Sequence, residues 1–232
     1  MAVVRFTPHP VISSSTRYTN FGNWLLENFF DHLCSYCLTK HSSLAIDHYE
    51  PQKYAPDKIN NPNNLLLACQ NCNGAGGKGD YHPFHSTRRR LPNDRTGHLV
   101  LDVRTDNLGE LFTLDSSSGQ LRVKPGPTAA RAAWNAVTLL NLDLDYLNQY
   151  RGRLLEKLLL CEKLIIRLGK QPKKEEPETK TCLRILTKEL AEQWLFFFAF
   201  DIDVSPQLAK RIAHHRPAFC LNSPHSQTEP GD

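Results

Sequence analysis

Two features that mark other classes of protein are missing from this sequence. No apolar run is long enough to cross a bilayer, since the aromatic run Trp194–Phe198 is far too short. The first residues reach Pro8 and Pro10 before any apolar run develops, so we expect no secretory signal. We therefore expect a cytoplasmic protein with no membrane partner, in a reducing compartment where paired cysteines favour metal over disulfides.

A strong charge of one sign is also missing. The 28 basic and 24 acidic residues give a formal net charge of +4, so bulk charge is weak evidence for a nucleic-acid partner. No internal repeat is visible along the chain. The length of 232 residues with 40% hydrophobic residues is enough to bury a core, and it allows one compact domain or two small ones.

Four of the seven cysteines stand in two tight pairs. Each C-x2-C turn can place two thiolates on one ion, and two turns complete the tetrahedral shell that zinc prefers. The pairs are Cys34 with Cys37 and Cys69 with Cys72. A pair of disulfides is the alternative, but a reducing compartment favours structural Zn²⁺. The other three, Cys161, Cys182 and Cys220, have no partner at ligand spacing and are interpreted as structural or incidental.

The insert between the two pairs carries polar residues suited to phosphodiester chemistry. Asp47 and His48 stand together, Asn64 follows later, and Asn73 comes directly after Cys72. Carboxylate and amide oxygens are ligands for hard cations such as Mg²⁺, and a neutral imidazole can act as a base. We therefore expect the chemistry of this chain to lie in the insert.

Local patterns predict two short strands that present these residues. Ser42 to His48 ends in an apolar run, and Leu65 to Cys69 forms a second one. Residues 53–63 between them are rich in proline and asparagine, which predicts an irregular loop. Zinc would hold both ends of a unit whose own apolar core is too small to fix its geometry.

This pattern resembles that of the HNH endonucleases of the ββα-metal superfamily. Their pattern runs C-x2-C, a strand ending in Asp-His near a proline, an Asn-Leu segment, and C-x2-C followed by His or Asn. The same order stands here over about residues 30 to 85, with Pro51 as the proline and Asn64-Leu65 as the Asn-Leu segment. The resemblance implies a zinc-stapled ββα-metal HNH nuclease core that hydrolyses phosphodiester bonds of DNA.

The resemblance also implies a role for each polar residue. Asp47 and Asn73 would bind Mg²⁺ or another divalent ion, which polarises the scissile phosphate and stabilises the leaving 3′ oxygen. Neutral His48 would take a proton from the attacking water, and Asn64 would orient the loop that carries the histidine. Three alternatives stay open: a His48 that only packs or binds zinc, a silent zinc-binding interaction module, and an interaction subunit in which the helical half does the work.

A basic segment follows the second cysteine pair. The glycine-rich run 74–79 is not a Walker A loop, because Lys78 precedes Gly79 and not Ser or Thr. Lys78 also stands five residues after Asn73, where the family often has a lysine three residues on. We interpret five residues as a phosphate-contacting strip, with a solvated face as the alternative: Lys78, Arg88, Arg89, Arg90 and Arg95.

The patterns outside the insert predict an α+β protein with a small antiparallel sheet and a C-terminal helical region. Leu99–Val103, Leu111–Leu114 and Gln120–Val123 are predicted strands, Leu147–Leu168 has helical spacing, and Lys170–Lys180 is a charged linker. A helix with Trp194–Phe198 and another beginning at Ser205-Pro206 should follow. The predicted segments are a helical lead-in (1–33), the HNH module (34–97), the sheet (98–127), a helical region for partner docking (128–222) and a disordered tail (223–232).

A second, looser resemblance lies downstream of the insert. Thr138–Asp143, followed by Leu147 and Arg151, is similar to a run in the PtuB-like HNH proteins associated with retron and Septu systems. Members of that group act in bacterial anti-phage defence beside an ABC-type ATPase, PtuA. The resemblance implies that this chain is an effector nuclease with a DNA target and a PtuA-like ATPase partner.

Overall fold

A computed structural model describes residues 17–25, 32–74, 77–80, 100–102, 104, 106–170, 177–193, 200, 202 and 204–215. The predicted α+β class is confirmed: two small antiparallel sheets are followed by helices. One apolar core runs through the described residues from Phe21 to Ile212, so the insert and the helical region share buried contacts. None of the described helices is long and apolar enough to cross a bilayer.

The two strands predicted in the insert are present. Strand β1 (Ala45–His48) pairs antiparallel with β2 (Leu65–Ala68), and His48 lies opposite Leu65. Every residue of β2 is buried, as expected for a strand covered on both faces. The loop between them contains two short 3₁₀ turns, Pro56–Lys58 and Pro62–Asn64, each with proline at its start. The predicted absence of regular structure there is wrong, because proline fixes the φ angle that a first helical residue needs.

The chain before the insert also begins as predicted. A 3₁₀ turn (Tyr18–Phe21) leads into helix α1 (Gly22–Leu25), and Phe21 and Leu25 are buried in the core. Residues 1–16 and 26–31 of the predicted helical lead-in lie outside the described residues. Helix α2 (Gln70–Asn73) follows Cys69 and closes the insert.

The predicted three-stranded sheet is a two-stranded hairpin in the part of the chain described. Leu111 ends helix α3 (Leu108–Leu111), and β3 (Phe112–Leu114) pairs with β4 (Leu121–Val123). Val100 to Asp102 are not in a strand. Asn107 caps α3 by accepting a hydrogen bond from the Gly109 amide at 3.0 Å, which favours a helical turn over an extended start.

The helical region begins with α4 (Ala129–Ala133), which continues as a π-helix over Trp134–Leu139. The long helix α5 (Asp145–Lys170) confirms the predicted spacing, with Leu147, Leu154, Leu158 and Cys161 buried on one face. The turn of the hairpin packs on α5 at Gly119, whose φ is +71° and where a Cβ would lie 2.1 Å from the Asn148 carbonyl oxygen. Only glycine fits that contact.

Two further helices pack on α5. Helix α6 spans Pro177–Ala191, so the predicted linker Lys170–Lys180 is too long: its last residues form the first turn of α6 behind an N1 proline. Helix α7 spans Pro206–His215, as predicted, and the Ser205 hydroxyl accepts a hydrogen bond from the Leu208 amide at 3.2 Å. Trp194–Phe198, Cys220 and the predicted tail lie outside the described residues.

Candidate functional site

The four predicted zinc ligands lie together. The sulfur atoms of Cys34, Cys37, Cys69 and Cys72 are all within 4.8 Å of one another and all four residues are buried. The first pair stands in a tight turn in which the Leu38 amide donates to the Cys34 carbonyl at 2.9 Å. The second pair lies at the start of α2, where the Cys72 amide donates to the Cys69 carbonyl at 3.1 Å.

Ser35 fixes the first cysteine turn to the sheet. Its amide donates to the Leu67 carbonyl at 2.8 Å, and its hydroxyl also donates to that carbonyl at 2.7 Å and accepts from the Leu67 amide at 3.1 Å. The turn is therefore anchored to the edge of β2. This anchor sets the distance between the two cysteine pairs.

The electrostatics of the four thiols favour a bound cation. Burial raises the pKa of the Cys34 thiol, whereas a hydrogen bond with Cys34 lowers the pKa of Cys69 to about 7. Four thiolates this close cannot all ionise in a buried site unless a cation compensates the charge. A tetrahedral thiolate shell is the donor set that Zn²⁺ prefers, so the cluster fits structural zinc.

Asp47 lies at the buried end of β1 with both carboxylate oxygens in contact with donors. The Tyr36 hydroxyl donates to Oδ2, and the Lys78 ammonium lies 3.1 Å from Oδ1. Burial raises the pKa of Asp47, and the charge of Lys78 and the Tyr36 hydrogen bond oppose that rise. The carboxylate is therefore held in one orientation beside His48.

His48 ends β1 with one ring nitrogen fixed by the backbone. Its Nε2 lies 2.8 Å from the Ile59 carbonyl oxygen, which can only accept, so Nε2 carries the proton. That tautomer leaves the lone pair on Nδ1, where the Gln52 amide nitrogen lies 3.2 Å away. The Tyr18 ring meets the imidazole edge to face with centroids 4.8 Å apart. A neutral imidazole that can accept a proton at one ring nitrogen is the form that general-base catalysis requires.

Asn64 holds the loop that follows His48. Its Oδ1 accepts from the Glu50 amide at 2.7 Å, and its Nδ2 donates to the carbonyls of Glu50 at 3.0 Å and Lys58 at 3.3 Å. The Tyr49 amide donates to the Asn64 carbonyl at 2.8 Å. These bonds join both ends of the loop that supplies the Ile59 carbonyl.

Comparison with known families decides the class of the insert. The model of the HNH endonuclease family matches residues 34–79, which hold both cysteine pairs, β1, β2 and α2. These residues form an HNH endonuclease domain. Enzymes of that family are phosphodiester hydrolases that act on nucleic acid. Comparison with curated proteins and with solved structures finds no match.

Two residues of the HNH domain carry oxygen donors of the type that Mg²⁺ prefers. Asp47 contributes a carboxylate and Asn73, the last residue of α2, a half-buried amide, both of the hard oxygen type that Mg²⁺ prefers. The Asn73 backbone is fixed because its amide donates to the Cys69 carbonyl at 2.9 Å. The donor set fits a divalent ion in its chemistry.

Lys78 occupies an unexpected position in the HNH domain. We predicted a phosphate-contacting residue on the surface, but its side chain is fully buried and paired with Asp47. Burial lowers the pKa of Lys78, and the Asp47 charge opposes that shift. The surface assignment of Lys78 therefore has to be revised. The other predicted members of the strip, Arg88, Arg89, Arg90 and Arg95, lie outside the described residues.

Three residues around Asp47 and His48 were missed by sequence reasoning. Tyr36 and Tyr18 reach Asp47 and His48 from outside the two strands, and Gln52 faces the His48 ring. Tyr36 stands between Cys34 and Cys37 of the buried cysteine cluster, a position that could have indicated a buried role. Tyr18 carries no comparable signal, because its contact depends on how the chain before the domain folds back.

Helix α5 contacts the HNH domain beside the cysteine cluster. The Tyr146 hydroxyl accepts from Asn71 Nδ2 at 3.1 Å, and the Tyr150 hydroxyl accepts from the Lys40 amide at 3.4 Å. Tyr150 also donates to Gln193 at the end of α6, at 2.6 Å. The second cysteine turn and the segment just after the first one thus contact the helical region directly.

Proposed function

We propose that this chain is a metal-dependent endonuclease that hydrolyses phosphodiester bonds of DNA, with His48 as its general base. The observation that carries the proposal is the fixed tautomer of His48 beside the buried Asp47 carboxylate. Gln52 is exposed and donates to Nδ1 through a single 3.2 Å contact, so an attacking water can take its place. His48 then accepts the proton of that water at Nδ1.

The remaining residues of the set orient the reaction. When bound by Asp47 and Asn73, Mg²⁺ would polarise the scissile phosphate and stabilise the leaving 3′ oxygen. Asn64 holds the loop that carries Ile59. The Ile59 carbonyl therefore keeps its hydrogen bond to His48 Nε2 while Nδ1 accepts the proton. Tyr36 keeps the Asp47 carboxylate from rotating. The alternative, a catalytically silent zinc-binding interaction module, predicts binding to nucleic acid without cleavage.

The proposal is tested with supercoiled plasmid, Mg²⁺ and purified zinc-loaded protein. Asn73→Ala should lower the cleavage rate by at least about 100-fold, the effect typical of removing one group that stabilises developing charge. Asp47→Asn should do the same while it keeps the Tyr36 contact. Nicked and linear plasmid are measured on gels and zinc by mass spectrometry.

The matched control for that test is Asn71→Ala. Asn71 lies on the same helix as Asn73 but is exposed and contacts Tyr146, so its loss should leave cleavage nearly unchanged. Full activity in both Asn73→Ala and Asp47→Asn would remove these residues as metal ligands. Parallel assays with DNA and RNA of one sequence decide the substrate, and cleavage of RNA alone would contradict the proposal.

The basic strip is proposed to contact phosphates. Replacing Arg88, Arg89 and Arg90 together by alanine should weaken DNA binding with little sequence dependence and reduce the salt slope by up to about one unit per lost contact. Binding is measured by fluorescence anisotropy across a salt series. A control with the same charge change replaces three exposed arginines of α5 and α6, Arg153, Arg167 and Arg184. An equal salt slope in both triple variants would mean that the strip is only a solvated face.

A role in anti-phage defence with a PtuA-like ABC-type ATPase is the finer part of the proposal. It is supported by the similarity of Thr138–Asp143 and by exposed apolar residues on α5 and α6 that suit partner docking, Leu159, Ile166 and Ile185. The test is copurification of the tagged chain from its host, followed by mass spectrometry. An ATPase in stoichiometric amount is expected. Its absence at low salt concentration would contradict the proposed ATPase partner.

A further inference from the structure

The Lys78 ammonium is surrounded by three oxygen atoms, which belong to Asp47, His48 and Gly79. Its Nζ donates to the His48 carbonyl at 2.8 Å, to Asp47 Oδ1 at 3.1 Å and to the Gly79 carbonyl at 3.4 Å. The side chain is 0% exposed, so water does not screen its charge. A carboxylate and two carbonyls are also the kind of ligands that surround a bound metal cation.

The backbone brings Lys78 to this position from the zinc side. The Lys78 amide donates to the Cys72 carbonyl at 2.7 Å, so the residue is joined directly to a cysteine turn. Gly77 makes the approach possible, because a Cβ there would lie 2.3 Å from the Cys72 carbonyl oxygen. The placement of the ammonium is therefore fixed by the fold of the domain.

We propose that the Lys78 ammonium is an internal competitor of the catalytic divalent ion, holding the cation-binding face of Asp47 until the ion displaces it. This inference rests on the proposed role of Asp47 as a metal ligand. A divalent ion on Asp47 and an ammonium on the same carboxylate repel one another strongly in a buried site. Metal binding therefore requires the Lys78 side chain to leave Oδ1, which weakens the affinity of the resting protein for the ion.

Two roles for Lys78, competition with the metal ion and structural support of Asp47, predict different effects of a neutral side chain on metal affinity. If Lys78 competes, its loss tightens metal binding. If Lys78 only positions the carboxylate, its loss loosens Asp47 and weakens metal binding or leaves it unchanged. Methionine has a similar length and an apolar stem, so Lys78→Met removes the charge with little change in volume.

The experiment measures Mn²⁺ binding by electron paramagnetic resonance on zinc-loaded protein. Lys78→Met should bind Mn²⁺ at least about tenfold more tightly than the wild type. Its melting temperature should be lower without Mn²⁺, because Asp47 loses its cation, and should rise more on addition of Mn²⁺. The control is Lys53→Met, which removes an exposed lysine paired with Asp80 and should match the wild type in both measurements. Unchanged or weaker Mn²⁺ binding by folded Lys78→Met overturns the inference.

A second measurement on the wild type keeps the inference testable if Lys78→Met fails to fold. Acetylation of lysines, mapped by mass spectrometry, should label Lys78 slowly without Mn²⁺ and markedly faster at saturating Mn²⁺, with Lys53 labelled equally in both. Equal protection of Lys78 in the two conditions overturns the inference. Plasmid cleavage that is lost in His48→Ala supports the proposed nuclease independently, so the two failures are distinguishable.

Discussion

His48→Ala should abolish cleavage while the protein keeps its zinc and its fold. General-base catalysis typically contributes ~10²- to 10⁴-fold, and the rate should fall by at least the lower figure. The imidazole does not reach the cysteine cluster; its partners are the Ile59 carbonyl, the Gln52 amide and the Tyr18 ring. Its removal leaves the Ile59 carbonyl without a donor, which should cost about 1–3 kcal/mol of stability.

The measurement is single-turnover plasmid cleavage with Mg²⁺, with zinc content and melting temperature recorded on the same preparation. His214→Ala is the matched control, since His214 is exposed on α7, and it should cleave like the wild type. Both variants are purified identically, so that any contaminating nuclease contributes the same background rate to both. Activity of His48→Ala within a few-fold of the wild type would contradict the mechanism.

Cys69→Ser should unfold the nuclease domain and release its zinc. The hydroxyl is a poor zinc ligand, and three buried thiols would remain in a cluster arranged for four. Structural zinc contributes about 10–16 kcal/mol in zinc-finger peptides, which exceeds the net stability of most small domains. Zinc is measured by mass spectrometry and unfolding by circular dichroism.

Cys182→Ser provides the comparison for that variant. Cys182 is exposed on α6 and belongs to no group of potential metal ligands found among the described residues. Its substitution should leave zinc and melting temperature unchanged. A Cys69→Ser protein with one zinc per chain and the melting temperature of the wild type would disprove the structural assignment.

Much of the candidate site could be predicted because its signals are local. The cysteine spacing and the Asp47-His48 pair at the end of an apolar run are each contained in a few residues. The strands β1 and β2 followed from the same runs. The contact of Lys78 with Asp47 could not be predicted, because it joins residues far apart in sequence and depends on how the loop after Cys72 folds back.

The errors in the fold have local physical causes that the sequence contained. Asn107 is a helix-capping residue, and its signal was outweighed by the apolar character of Leu111–Leu114. Pro177 marks the start of α6, yet the charged residues around it favoured a linker. In both places a single residue with a specific conformational preference determines the backbone against the composition of its neighbours.

The contacts of Tyr146 and Tyr150 extend the structural unit of the HNH domain beyond residues 34–79. Residues 34–79 match a family on their own, but here their cysteine turns rest on a helix that begins about seventy residues later. We therefore expect residues 34–79 to be less stable when they are separated from this helix. We expect substitutions at Tyr146 and Tyr150 of α5 to be accompanied by substitutions around Asn71 and Lys40, because these residues contact one another.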